Sequence, residues 1–325
     1  MKLVKTSDGS YTFFSPEYDE CFHSVKGGAI LESFFKFSLP LFRDLKEKEK
    51  KEIFVLDIGF GLGYNILSLI YLHTKFFKDI KLNIISIEKN KNLINLVTWN
   101  NLPQKLACFS YILETLKNTA LKFFYLSFES GVYFSENLDI ILLFGDIRKV
   151  LPKLKKAFYS FDYIFHDAFS FLKNPEAWSY EIFLYEKALL KSKGKIFTYA
   201  CAKPIKRALL ELSFSLKLNS PKDRFLVNML KNIIDDISFQ FSLPQSKSKD
   251  PIKAILEIFE RHPGLEATKT SLSLEDKKLL ETLRQDKKSI FYRDNIYLNK
   301  DPKKIKLERE NAIKSNKNSK QNKRG

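Results

Sequence analysis

Ile53-Phe-Val-Leu-Asp-Ile-Gly-Phe-Gly-Leu-Gly-Tyr-Asn65 is an apolar run that reaches Asp57 and breaks into three glycines spaced by two, Gly59, Gly61 and Gly63. Apolar runs of about four to eight residues bounded by glycine read as strands buried on both faces. The glycines let the backbone turn sharply and let a ligand approach it closely. The residues that follow, Ile66-Leu-Ser-Leu-Ile-Tyr-Leu72, read as helix. The loop therefore opens a helix at its electropositive N-terminal end.

Further along the chain the pattern repeats. Leu82-Asn-Ile-Ile-Ser-Ile-Glu88 is a second strand-like run, and Leu138-Asp-Ile-Ile-Leu-Leu-Phe144 is a third, followed by Gly145-Asp146. Phe161-Asp-Tyr-Ile-Phe-His166 is a fourth, followed by Asp167, and Gly194-Lys-Ile-Phe-Thr-Tyr-Ala200 is a fifth. A lone acid after a strand is most simply a helix N-cap. Four successive strands each ending in an acid are harder to explain that way. In open α/β sheets ligands bind beyond the carboxyl ends of the strands, where Asp57, Glu88, Asp146 and Asp167 would gather. The predicted fold class is α/β, a mostly parallel, doubly wound, Rossmann-like sheet.

Nucleotide-binding folds also use glycine-rich strand–loop–helix units. Their G-x-G-x-x-G fingerprint needs a small residue where this chain has Tyr64. An acid followed by G-x-G-x-G instead resembles the class I S-adenosylmethionine-dependent methyltransferases. That resemblance implies S-adenosylmethionine as cofactor, held by Asp57, Gly59, Gly61 and Gly63. Asp57 either accepts from the ligand's ammonium or braces the loop's own amides. Glu88 is placed to bind both ribose hydroxyls, and Asp146 to accept from the adenine amine.

Two later stretches narrow the resemblance. They are Gly145-Asp-Ile-Arg-Lys-Val-Leu-Pro-Lys-Leu154 and Phe165-His-Asp-Ala-Phe-Ser-Phe-Leu-Lys-Asn-Pro-Glu-Ala-Trp178. Asp8-Gly-Ser-Tyr-Thr12, Cys21-Phe-His-Ser24 and Gly28-Ala-Ile-Leu-Glu32 join them as an entry segment. Together they are similar to the methyltransferase domain of the MnmC family, over roughly residues 6 to 214, with a weaker echo from His262 to Ser273. The chain departs from that pattern at His166, where the bifunctional members usually carry an apolar residue. No flavin-dependent oxidase pattern follows, so the resemblance is to the methyltransferase-only branch. It implies methylation of the 5-aminomethyl group of the tRNA wobble uridine, giving the 5-methylaminomethyl(-2-thio) form. It also implies tRNA as partner, separate enzymes supplying the aminomethyl precursor, and a cytoplasmic setting.

Composition agrees with that direction. The 325 residues are 44% hydrophobic, ample for a core, and carry a formal charge of +17. Dense positive charge favours phosphates and disfavours polycationic substrates. From Asp301 to Gly325 nine Lys/Arg against three acids give +6, which leaves +11 on the preceding residues. That tail has few apolar residues and reads as disordered, either solubilising or RNA-contacting. Cys21, Cys108 and Cys201 are scattered and odd in number, which fits a reduced compartment. His23, His73, His166 and His262 make no metal spacing with them, so no metal is expected. No run resembles a signal peptide or a membrane span.

The expected organisation is an entry and cap segment over 1–45, a methyltransferase domain over 46–300, and the basic tail over 301–325. Within the domain, two amphipathic helices around a polar loop form an insertion over about 217–258. Pro103 to Lys122 reads as one helix, and Phe123 to Phe134 as a hairpin turning at Glu129-Ser-Gly131. Asn174 before Pro175 reads as a capped helix start. For chemistry, Asp167 is the candidate catalytic carboxylate, beside the acceptor amine, with a loop cap as its bland alternative. Phe169, Lys173 and Trp178 are the candidate substrate contacts. His166 reads as a packed residue, and His23 and Glu32 as residues closing over the cofactor. Two other functions share the fold: a methyl- or aminopropyltransferase acting on a small amine, as in spermidine synthases, and a catalytically inactive RNA-binding protein.

Overall fold

Strands β1 (Lys2–Lys5), β2 (Tyr11–Ser15) and β3 (Glu20–Cys21) form a small antiparallel sheet at the N-terminus of the computed structural model. The structure describes residues 1–119, 121–123, 128–157, 159–241 and 250–293. Helix α1 (Ala29–Ser33) passes through a π-helical turn, Phe34–Ser38, into α2 (Leu39–Lys46). Pro40 lacks the amide that would bond the Lys36 carbonyl, so the regular ladder cannot run through this turn. Asp8 explains the entry motif. One of its carboxylate oxygens accepts from the amides of Ile30 and Leu31, both at 3.0 Å, and so caps α1 from twenty residues away. Gly28, at φ 80°, is glycine because a Cβ there would lie 2.6 Å from that carboxylate.

The core begins with β4 (Glu52–Ile58), α3 (Tyr64–Phe76) and β5 (Lys81–Glu88). Two short helices follow, α4 (Gln104–Ala107) and α5 (Ser110–Asn118), then strands β6 (Leu121–Phe123), β7 (Phe128–Phe134) and β8 (Leu138–Phe144). Next come α6 (Ile147–Lys156), β9 (Phe161–His166), α7 (Tyr180–Leu189), β10 (Leu190–Thr198), α8 (Lys203–Glu211) and β11 (Phe214–Asn219). Helices α9 (Arg224–Ile237) and α10 (Pro251–Arg261), strand β12 (Gly264–Lys269) and α11 (Leu274–Gln285) complete the described chain.

Nine strands form one sheet in the order β11-β12-β10-β9-β4-β5-β8-β7-β6. The five central strands, β10-β9-β4-β5-β8, are parallel, with antiparallel pairs at both edges. The order reverses at β4, which has β5 on one side and β9 on the other. That switch point leaves a crevice at the strands' carboxyl ends. Strand β4 is apolar from Ile53 to Leu56 because both its faces are covered: Ile53 and Val55 enter one core cluster, Leu56 and Ile58 the other.

Several local expectations change. Residues 104–118 form two helices instead of one, broken around Cys108 and Phe109, and the chain is already extended by Leu121. Gly131 lies within β7 and not at the hairpin turn. A Cβ at Gly131 would come 2.1 Å from the Leu116 carbonyl, so glycine lets α5 pack directly on the strand. Asn174 caps nothing with its side chain. Pro175–Trp178 is a separate 3-10 turn, and Ser179 caps α7 by accepting from the Ile182 amide at 3.3 Å. The two expected insertion helices are α9 and α10. Helix α9 buries Leu226, Leu230 and Ile233 in the same core as α2, and Arg43 of α2 pairs with Asp223 and Glu266. The polar stretch 242–249 and the tail 301–325 lie outside the described residues. No helix among the described residues is long and apolar enough to cross a membrane.

Candidate active site

The three glycines after β4 do different jobs. Gly59, at φ 91°, lies where a Cβ would come 2.5 Å from the Asp167 carbonyl. It joins the β4 loop to the β9 loop, whose Asp167 amide donates to the Ile58 carbonyl at 2.9 Å. Gly63 starts α3 in the left-handed region, with the rings of Phe60 and Trp99 within 2.8 Å of a virtual Cβ. Gly61, at φ 53°, has only the Phe22 ring at 3.3 Å close to its virtual Cβ. Its amide donates to Glu88 at 3.0 Å. Gly61 is therefore the one glycine of the loop whose open side is bounded by a side chain instead of backbone or core.

The four acids differ as much. Asp57 is fully buried. One oxygen accepts from Ser86 Oγ at 2.5 Å, and the other has no donor among the described residues. Burial pushes its carboxyl up to about 7, with the Ser86 bond opposing and the charge of Glu88 adding to the rise. Glu88 accepts from the amides of Gly61 and Asn90, and burial raises it too. Asp146 caps α6 through the Arg148 amide at 2.9 Å, and both its oxygens take the Arg148 guanidinium, at 3.1 and 2.7 Å. Burial alone would raise Asp146, but Arg148 holds it below the usual range. Asp167 accepts from Asn65 Nδ2 at 2.7 Å. Burial and then the negative charge of Glu32 push Asp167 well above the usual carboxylate range.

A pH dependence follows from Asp57. Its folded-state pKa lies above its unfolded value, so between about pH 4 and 7 the folded chain binds the proton that the unfolded chain has lost. Stability from this source is complete below pH 4 and lost as pH rises through 7. Asp44 and Asp162 would be raised by burial, but Lys195 and Lys191 beside them hold them below the usual range, so they act below pH 4. Buried Asp167, Glu88 and Glu176 are also raised and act in the same direction, while His23 and His73, lowered by burial, act in the opposite one. Asp57→Asn should therefore make the ligand-free melting temperature fall less, or rise more, between pH 5 and pH 8 than it does in the wild type. Thermal melts check this; an unchanged difference in the variant would remove Asp57 as the cause.

Beside Asp167 opens a cavity of about 800 Å³. One wall is the 167–172 loop with Tyr199, and the facing wall is the N-terminal segment 20–25 with Glu32 and Lys36. Ile258, Arg261 and His262 of α10 and its end, with Lys288, border it further out. Glu32 pairs with Lys36 at 2.7 Å and accepts from the Ser24 amide at 2.9 Å. Burial would raise Glu32, but Lys36 keeps it below the usual range. Lys36, four residues after Glu32 and within the π-helical turn, shares this wall with it.

Of the expected substrate contacts, Phe169 lines the cavity. Its ring stacks on Tyr18 at 4.2 Å and meets the edge of Phe22 at 4.8 Å. Lys173 pairs with Asp19 at 2.7 Å. Trp178 is corrected: it is fully buried, packs on the His166 ring at 4.1 Å, and donates its indole N–H to the Phe169 carbonyl at 2.6 Å. It shapes the loop and has no surface to offer a ligand. His166 is equally buried and meets Glu186 at 2.6 Å. The N-terminal segment also fixes the loop directly, since the Ser170 amide donates to Glu20 at 3.0 Å. Asn65, Lys36, Tyr18 and Tyr199 were not anticipated. Only Asn65 carried a sequence clue, standing one residue into the helix that the glycine loop opens.

Residues 112–223 match a family model described as an S-adenosyl-L-methionine-dependent methyltransferase. The chain is 28% identical over 214 residues to an uncharacterised protein of Methanocaldococcus jannaschii, covering 65% of this chain and 54% of that one. It is 32% identical over 190 residues to the tRNA 5-methylaminomethyl-2-thiouridine biosynthesis bifunctional protein MnmC of Campylobacter hominis, covering 56% of this chain and 26% of that one. It thus spans about half the first relative and a quarter of the second. The crystal structure of MnmC2 from Aquifex aeolicus superposes with a TM-score of 0.69 at 25% identity, covering 94% of this chain and 83% of that one. The chain is an S-adenosylmethionine-dependent methyltransferase related to the methyltransferase domain of MnmC.

The residues of this MnmC-related methyltransferase fit such a cofactor. Gly61 keeps an open side toward the Phe22 ring, and buried acceptors at Asp57 and Glu176 lack donors among the described residues. A ligand carrying an ammonium, two ribose hydroxyls and an aromatic amine brings donors of the kind those acceptors lack.

Proposed function

We propose that this methyltransferase transfers a methyl group to the primary amine of 5-aminomethyluridine at the wobble position of tRNA. The observation that carries the reading is Asp167: a carboxylate raised above its usual range, on the cavity wall, in the loop that packs on Gly59. Gly59, Gly61 and Gly63 would hold the cofactor's backbone-facing side, with Glu88 on the ribose. When bound, S-adenosylmethionine supplies an electrophilic methyl carbon on a sulfonium.

The acceptor amine must be unprotonated. For an amine with the pKa of lysine, reaching the free base at pH 7 costs roughly 4 to 5 kcal/mol. Asp167 with a raised pKa suits the task, because its basicity lies closer to working pH than that of an exposed carboxylate. Asn65 fixes one Asp167 oxygen and leaves the other for the amine's proton. Phe169, held by Tyr18 and Phe22, presents a ring against which a uracil can stack. Arg261 and Lys288 at the cavity rim carry charges suited to phosphate.

Support for the tRNA substrate is the name of the MnmC relatives together with this rim. A small amine such as a polyamine is the rival substrate, and the charge of +17 disfavours it. Nucleoside mass spectrometry of tRNA from a strain lacking the protein checks the reading. 5-Aminomethyluridine derivatives should accumulate, and a normal nucleoside profile would refute it.

A further inference from the structure

Glu176 belongs to the Pro175–Trp178 turn. It is 7% exposed, and no other described residue donates a hydrogen bond to either carboxylate oxygen. A buried acceptor pair without donors carries the full cost of desolvation. Its charged surroundings locate it. Lys89, just after β5, and Arg148 and Asp146, at the start of α6, act on Glu176, while burial pushes its carboxyl up. The Tyr18 phenol, itself raised chiefly by burial, feels the charges of Glu176, Glu88 and Asp146 together. Glu176 is thus within electrostatic reach of the residues that follow β5 and β8, the strand ends beside the switch point where nucleosides lie in open α/β sheets.

Asp146, the acid expected to receive the adenine amine, is filled by Arg148 and by its cap. Glu176 is the neighbouring acceptor that remains without a donor. We propose that Glu176 accepts the exocyclic amine of the cofactor's adenine. Tyr18 sits at the tip of the β2–β3 turn, with Asp19 after it at φ 51°, over this group of acids. The proposal rests on the cofactor and not on the identity of the methyl acceptor, so the outcome of acceptor assays does not bear on it.

Calorimetry with two ligands tests it: S-adenosylhomocysteine, and the analogue in which hydrogen replaces the adenine amine. The wild-type protein should prefer the amine by about ten- to a hundredfold, the scale of a hydrogen bond to a charged group. Glu176→Leu should bind the two alike. Its ligand-free melting temperature should rise, since an orphan carboxylate is gone, while the shift induced by S-adenosylhomocysteine shrinks. Glu176→Gln keeps the shape and one acceptor, and should reduce discrimination to a few fold; it serves if the leucine variant does not fold. Undiminished discrimination in either variant overturns the proposal. Loss of discrimination in Asp146→Asn, with Glu176 intact, would return the amine to Asp146.

Discussion

Asp167→Asn should lower the single-turnover rate of methyl transfer by about 100-fold or more while leaving S-adenosylhomocysteine affinity within a few fold. The substitution keeps the size and planarity of the side chain but removes the basic oxygen proposed to take the amine's proton. The backbone roles survive, since the Asp167 amide still donates to Ile58 and its carbonyl still packs against Gly59. Rapid-quench turnover and calorimetry separate the two effects. Loss of both rate and cofactor affinity would make Asp167 part of the loop's architecture. Near-normal turnover would leave it as a partner for Asn65 alone.

Gly61→Val should abolish detectable cofactor binding in a chain that still folds. Gly61 is at φ 53°, which a β-branched residue adopts only with strain, and its virtual Cβ meets the movable Phe22 ring at 3.3 Å and backbone no closer than the Gly59 carbonyl at 3.9 Å. Its amide also holds Glu88, so displacing the loop disturbs the proposed ribose acceptor as well. The corresponding change at Gly59 would drive a side chain into the Asp167 carbonyl, and at Gly63 into Phe60 and Trp99. Those variants should lose the fold together with binding. Circular dichroism with S-adenosylhomocysteine titration distinguishes the cases, and unchanged affinity in folded Gly61→Val would remove the loop from the cofactor site.

The part of this protein legible in sequence is the part written in consecutive residues. Asp57 to Gly63 marks the end of a buried parallel strand and the start of a helix, and both are there. The acids after β5, β8 and β9 were legible as strand-end residues, but what each does depends on its partners. That Arg148 folds back on Asp146 is not legible in the sequence, which shows only an acid after β8. Trp178 looked like a contact residue because aromatic content says nothing about which face a 3-10 turn buries. Gly131 looked like a turn residue, yet it serves a helix that crosses the strand at carbonyl distance.

The far wall of the cavity is assembled from distant sequence. Glu20, Glu32 and Lys36 reach it through the N-terminal sheet and a π-helical turn. Neither feature leaves a periodic trace. Glu176 lies in the Phe165–Trp178 stretch without any sequence mark of a role, because an unmet hydrogen bond is visible only once the neighbours are in place.

The central claim, that the methyl acceptor is an aminomethyl group on tRNA, is tested most directly by incubation with labelled S-adenosylmethionine. Purified protein is offered tRNA bearing 5-aminomethyluridine alongside an equal concentration of a polyamine. The account predicts that label enters the tRNA, in a nucleoside one methyl group heavier than 5-aminomethyluridine, and that the polyamine stays unlabelled. Label in the polyamine with none in the tRNA would contradict it.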